Sequence, residues 1–356
     1  MFGQPQQQVN PANPNNDVEV PQPPDDGISC LAWSCHNHLA VGSWDRSVRV
    51  YDVKCQAGAS GAQMQVQVTP IVQYMHDAPV LCCNFSKDGT ILFSGGCDNK
   101  VKMRNLQTQQ EQIIGQHAAP VKEVFWCEEM KMVISGSWDK TVKFWSGTSP
   151  QPTLSLDTAD QRVYSMDLQY PLLVVATANR RLLAYDLAQI ANNRNPVRQG
   201  ETALKMQTRC VSAFPDKSGY AVGSIEGRCS IAYVTETTKN FAFKCHRNND
   251  EIYAVNSISF HPTFGTFATS GSDGVFTFWD KDNRQRLKQF NSVGSPITAS
   301  GFSPNGQLFA YACSYDWSKG HEHNNPNLQR KVFLHRLEES EIKPKPNQQR
   351  AGGVRR

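Results

Sequence analysis

Gly136-Ser-Trp-Asp-Lys-Thr-Val-Lys-Phe-Trp145 is the stretch on which the reading of this chain turns. A Gly-Ser-x-Asp turn opens it, and Val142 and Phe144 then alternate with polar neighbours until an aromatic closes the run. Period-two alternation marks a strand with one packed and one more exposed face. Another short strand, Lys131-Met-Val-Ile-Ser135, leads into the turn. The pattern recurs seven times. Gly42-Ser-Trp-Asp-Arg-Ser-Val-Arg-Val-Tyr-Asp52 and Gly271-Ser-Asp-Gly-Val-Phe-Thr-Phe-Trp-Asp280 are close copies, Thr177 to Asp186 is a weaker one, and the last is split between Ser314-Tyr-Asp-Trp317 and Lys331-Val-Phe-Leu-His335.

Measured between the turn acids or their replacements (Asp45, Asp98, Asp139, Asn179, Glu226, Asp273, Asp316), the period runs from 40 to 53 residues, which is that of a propeller blade. A further strand type begins the blades, as in Ile28-Ser-Cys-Leu-Ala-Trp33 and Val121-Lys-Glu-Val-Phe-Trp126, and is expected to line a central channel. The last copy ends at Leu337 without an outermost strand, while Asp17-Val-Glu-Val20 precedes the first blade with nothing else to pair. The expectation is therefore an all-β, seven-bladed β-propeller whose ring is closed by the N-terminal strand, since closure removes the open sheet edges that invite aggregation. Residues 16–340 form the propeller in this reading; 1–15 and 341–356, rich in Gln, Asn, Pro, Lys and Gly, are expected to be disordered tails, the second of them basic.

Hydrophobic residues at 39% and charged residues at 19% describe a chain able to build a continuous core. A formal charge of +4 over 356 residues gives no global attraction to nucleic acid, so any basic function has to be local. The eleven cysteines show neither a CxxC pair nor zinc spacing and read as reduced core thiols. No secretory leader or membrane-length apolar run is visible, which predicts an intracellular protein.

His117, Ser135 and Asp139 tempt a hydrolase reading, but comparable sets recur at His76, Ser94 and Asp98 and at His246, Ser270 and Asp273. Repetition argues for architecture, because catalysis needs one set with an exposed nucleophile. We read His117, Ser135, Asp139 and Trp145, and likewise His246, Ser270, Asp273 and Trp279, as structural tetrads. His321 and His323 lack further ligands, so no metal is expected, and no Gly-rich phosphate loop supports a nucleotide or other cofactor. Phe241-Ala-Phe-Lys-Cys-His-Arg247 and Phe278-Trp-Asp-Lys-Asp-Asn-Arg-Gln-Arg-Leu-Lys288 set aromatics beside cations, as an interface for a phosphate backbone or an acidic peptide would; a solvated outer surface over core aromatics is the competing reading.

The repeats and their irregular segments together resemble the WD-repeat mRNA export factors that associate with nuclear pores. The resemblance rests on the turns already quoted and on Gly223-Ser-Ile-Glu-Gly-Arg228, Asp250-Glu-Ile-Tyr-Ala-Val-Asn256 and Phe309-Ala-Tyr-Ala-Cys-Ser-Tyr-Asp-Trp-Ser-Lys-Gly-His-Glu322, spanning nearly the whole propeller. It implies a non-enzymatic platform that captures the GLEBS motif of an FG-repeat nucleoporin and helps messenger ribonucleoprotein leave the nucleus. It further implies a surface engaging single-stranded RNA at Phe241, Trp279, Asp280, Lys281, Arg284 and Arg286. The implied location is the nucleus and the nuclear envelope at the pore complex, and also the cytoplasm. The family is similar to a mitotic-checkpoint propeller, so the alternative is a checkpoint or ubiquitin-ligase adaptor that recognises short peptide motifs, with mitotic-checkpoint proteins as partners. The Phe2-Gly3 dipeptide resembles a single nucleoporin repeat.

Overall fold

The structure is a computed structural model that describes residue 10 and residues 12–56, 64–159 and 161–345. Seven four-stranded antiparallel sheets, with one two-stranded hairpin, account for its strands. Within a blade the strands follow sequence order outward from the channel, as in Val121–Cys127, Met132–Ser137, Thr141–Trp145 and Leu154–Asp157. The seventh blade is completed from the other end of the chain: Val18–Glu19 pairs with Lys331–Arg336, Val18 opposite Leu334 and Glu19 opposite Phe333. The fifth blade's innermost strand, Thr208–Ala213, carries no aromatic end and was not foreseen.

Seven buried apolar clusters hold the ring together, and each draws on two neighbouring blades. One joins Phe93 and Val101 of the second blade to Val121, Val133 and Trp145 of the third. No blade buries its own faces alone, so each depends on its neighbours and the circle depends on closure. The glycine of the repeated turn has its reason in these seams. A Cβ on Gly42 would come within 2.9 Å of Val80 Cγ1, and one on Gly95 within 2.6 Å of Val121 Cγ1, because the next blade's first strand packs directly on the turn.

The innermost strand carries the same irregularity in all seven blades. Its pairing slips by one residue between Ile28 and Cys30, Val80 and Cys82, Val121 and Glu123, Val163 and Ser165, Thr208 and Cys210, Val255 and Ser257, and Ile297 and Ala299. Each slip is a β-bulge, which leaves one residue unpaired and re-aims its side chain.

The expected tails lie mostly outside the described residues, as do Phe2 and Gly3. Two of their described residues make contacts with the propeller: Asn15 Nδ2 donates to the Asn291 carbonyl at 3.1 Å, and Ile342 is buried. The boundary expected at 340 cuts through a single-turn helix, Glu339–Ile342. The cysteines are less uniform than expected, with Cys35 exposed rather than in the core.

Candidate functional site

The repeated His, Ser and Asp residues form internal ties. His117 Nδ1 lies 2.7 Å from Asp139 Oδ2, His117 Nε2 lies 2.8 Å from Ser135 Oγ, and Trp145 Nε1 donates to the same hydroxyl at 2.7 Å. Ser135 is fully buried and already committed on both sides, so it offers no nucleophile to a substrate. In the second blade Arg104 stands where Trp145 stands in the third, and Tyr74 donates to Ser94 Oγ instead, at 2.8 Å. The sixth blade corrects the expectation. His246 Nε2 and Trp279 Nε1 both reach Thr269 Oγ1 at 2.9 Å, whereas Ser270 Oγ donates to Ser300 across the seam. Neighbouring strand residues face opposite ways, and the tetrad hydroxyl stands four places before the turn acid, which is Thr269.

The side surface expected between the fifth and sixth blades is partly assembled. Phe241 begins the outermost strand Phe241–Lys244, and Arg284 at the next blade's turn lays its guanidinium 4.6 Å from that ring's centroid. Trp279 is half-buried with its ring 4.7 Å from Phe243, an aromatic omitted from the expected set. Arg284 and Arg286 are exposed. Asp280 and Lys281 are a correction, since both side chains are buried. Asp280 accepts from the amides of Asp282 and Asn283 at 2.9 and 3.0 Å, capping its own turn. Lys281 Nζ bonds Asp282 at 2.8 Å and lies 5.0 Å from the centre of the Phe214 ring. Their polar atoms are spent on the fold.

The second site was missed from sequence. The seven bulge residues (Ser29, Leu81, Lys122, Tyr164, Arg209, Asn256 and Thr298) all line a recess of about 470 Å³ at the mouth of the channel. Trp44 and Trp138, both from Gly-Ser-Trp-Asp turns, stand on its rim with Tyr315 and Trp317. Trp44 and Trp317 stack obliquely with centroids 5.1 Å apart, and the buried Trp138 indole nitrogen has no hydrogen-bond partner among the described residues. Arg209 is exposed and oriented by Asn256 Oδ1 and the Asp316 carbonyl, each at 3.2 Å. Burial works against the charge of Lys122, but Glu123 at 3.1 Å outweighs it, and the ammonium is held above its usual pKa. Beside the mouth, Met206 precedes the lining residue Gln207 and Ile225 donates its amide to the Gln207 carbonyl; both side chains are exposed, and the Glu226 carboxylate accepts from the Lys205 amide at 2.8 Å. The one signal in the sequence was an innermost strand whose second residue follows Ile, Val or Thr and breaks alternation. Among the described residues no group of three or more His, Cys, Asp or Glu is arranged to hold a metal, and no helix is long and apolar enough to cross a membrane.

Comparison with known proteins agrees with this architecture. The family described as WD domain, G-beta repeat matches residues 19–52, 69–105, 108–146 and 237–280. The chain is 44% identical over 346 residues to a poly(A)+ RNA export protein of Schizosaccharomyces pombe, covering 94% of each. It is 46% identical over 353 residues to an mRNA export factor of Danio rerio, covering 94% of this chain and 92% of that one. It is 42% identical over 339 residues to the protein RAE1 of Arabidopsis thaliana, covering 94% and 95%.

Proposed function

The chain belongs to the family of WD-repeat mRNA export factors, and from that premise we propose that it acts in nuclear mRNA export as a non-enzymatic docking platform at the nuclear pore. The channel mouth carries this reading. It combines a ring of side chains from all seven blades, three cations (Lys122, Arg162 and Arg209) and three indoles on a preorganised scaffold, so little ordering entropy is left to offset on the protein's side when a peptide binds. A GLEBS segment of an FG-repeat nucleoporin is the occupant that the family suggests. Carboxylates of such a segment would meet Lys122 and Arg209, and its apolar side chains would cover Trp44, Trp317 and the exposed Met206 and Ile225.

Single-stranded RNA, free or within messenger ribonucleoprotein, is the second ligand in this proposal. Phe241 offers a ring for a base to stack on, and Arg284 and Arg286 offer charge to the phosphates. The protein would then work in the nucleus and at the nuclear envelope, with a cytoplasmic share.

Calorimetric titration of the purified protein with a synthetic GLEBS peptide at near-physiological salt tests the first part. Saturable one-to-one binding that weakens about ten-fold or more in Arg209→Glu supports it; absence of binding by the unaltered protein ends it. For RNA, the useful variant is Arg284→Ala with Arg286→Ala, which leaves the Trp279 to Thr269 bond intact. Unchanged affinity for a single-stranded oligonucleotide at low salt would remove that surface from the proposal.

A further inference from the structure

Three of the seven blades place a cysteine at the third position of the innermost strand, and one of those three seams differs from the other two. In the second and fifth blades, Cys82 and Cys210 lie over the turn glycines Gly95 and Gly223, where an added Cβ would fall 3.1 and 2.7 Å from their sulfurs. Each shares its core cluster with an apolar residue of the next blade, Val124 and Ile258 respectively. Cys30 occupies the same place in the first blade, with its Sγ 2.5 Å from where a Gly42 Cβ would be. The position matching Val124 and Ile258 is here Cys83, and the two Sγ atoms are 3.5 Å apart.

We propose that Cys30 and Cys83 form an oxidisable dithiol, a redox modification site for hydroperoxides set into the seam between the first two blades. Cys30 is half-buried and lines the channel wall, whereas Cys83 is buried behind it. That order assigns the roles: Cys30 meets the oxidant and Cys83 resolves it. The thiol chemistry runs the same way. Burial drives Cys210 up to about 12 and Cys82 also well up, but the Cys83 hydrogen bond lowers Cys30 in spite of burial, with Ser29 and Lys122 assisting.

The Cys30 thiolate attacks one oxygen of the peroxide; the O–O bond breaks, the other oxygen leaves and takes up a proton, and Cys30 becomes a sulfenic acid. Cys83 sulfur then attacks Cys30 sulfur, the S–O bond breaks, and the hydroxyl departs as water with the Cys83 proton. Two thiols are oxidised to one disulfide, and the peroxide is reduced to water or an alcohol plus water. The sulfurs must close from 3.5 Å to about 2 Å, a movement shared between two side chains.

The test treats the reduced full-length protein with graded hydrogen peroxide, blocks remaining thiols by alkylation and maps peptides by mass spectrometry without reductant. A Cys30–Cys83 linked peptide is expected at peroxide levels below those that modify the exposed Cys35. Cys83→Val copies the apolar partner that Cys82 and Cys210 meet in their seams; in it the link is lost and dimedone traps a sulfenic acid on Cys30. Recovery of Cys30 and Cys83 as alkylated thiols when Cys35 is already oxidised would overturn the proposal. So would dimedone labelling of another cysteine, and not Cys30, in Cys83→Val.

Discussion

Replacing His335 with Gln is expected to remove a pH dependence that the closing blade imposes on stability. His335 Nδ1 lies 2.7 Å from Asp17 Oδ1 on the N-terminal side of the ring closure, and Nε2 lies 3.0 Å from Glu341 Oε2 on the C-terminal helix. Tyr311 donates to the other Asp17 oxygen at 2.6 Å. With a carboxylate on each ring nitrogen, both nitrogens act as donors and the ring is an imidazolium. Burial opposes that charge, but the two carboxylates prevail and push the pKa up to about 9. In the unfolded chain the same group titrates near ~6.5. A folded value above the unfolded one adds stability that is fully present below about pH 6.5 and is lost as pH rises toward about 9. The gap corresponds to about 3 kcal/mol at most, or roughly 4–5 °C in melting temperature for a chain of 356 residues. Thermal melts of the unaltered protein and His335→Gln at pH 6 and 9.5, at one salt concentration, measure it; groups other than His335 titrate in both proteins and cancel. The unaltered protein should lose several degrees more than the variant on going to pH 9.5. Parallel losses in the two would refute the assignment of the buried imidazolium.

Asp139→Ala should destabilise by about 1–3 kcal/mol, read as a lower urea midpoint, because His117 and Thr141 lose a buried partner. Burial works against its ionisation, but donors from His117, Thr141 and the Ala118 amide hold the Asp139 carboxyl below the usual carboxylate range. Its contribution is present above about pH 4 and is lost as pH falls further, so the variant and the unaltered protein should converge in acid urea titrations. Thr269→Val should cost about 1–3 kcal/mol, since it strands the His246 and Trp279 nitrogens, and Ser270→Ala clearly less; the reverse order in chemical melts would restore Ser270 to the tetrad. Gly227→Ala should lower the melting temperature, because φ is +63° and the new Cβ would sit 2.5 Å from the His246 carbonyl oxygen; an unchanged melt would mean that this turn relaxes freely.

Local patterns recorded the blades themselves. Val142 and Phe144 alternate with polar residues because each strand has one packed face, and the turn acids from Asp45 to Asp316 repeat because each blade solves the same packing problem. The N-terminal strand was legible by elimination, as the seventh blade lacked an outer strand and Asp17 to Val20 lacked a partner. Family resemblance pointed to Phe241, Arg284 and Arg286, which are partly or fully exposed, but also to Asp280 and Lys281, which are buried. Lys281 is covered by Phe214 of the neighbouring blade, which its own turn does not record, whereas Asp280 caps that turn itself. The choice of Thr269 over Ser270 turned on a single step of strand alternation. The ring of bulge residues at the channel mouth and the meeting of Cys30 with Cys83 were set only by the tertiary structure. A one-residue slip between paired strands leaves only a broken alternation in the sequence, yet it reverses the face a side chain presents, and contacts across a seam join residues some fifty positions apart whose separation only ring closure and blade twist determine.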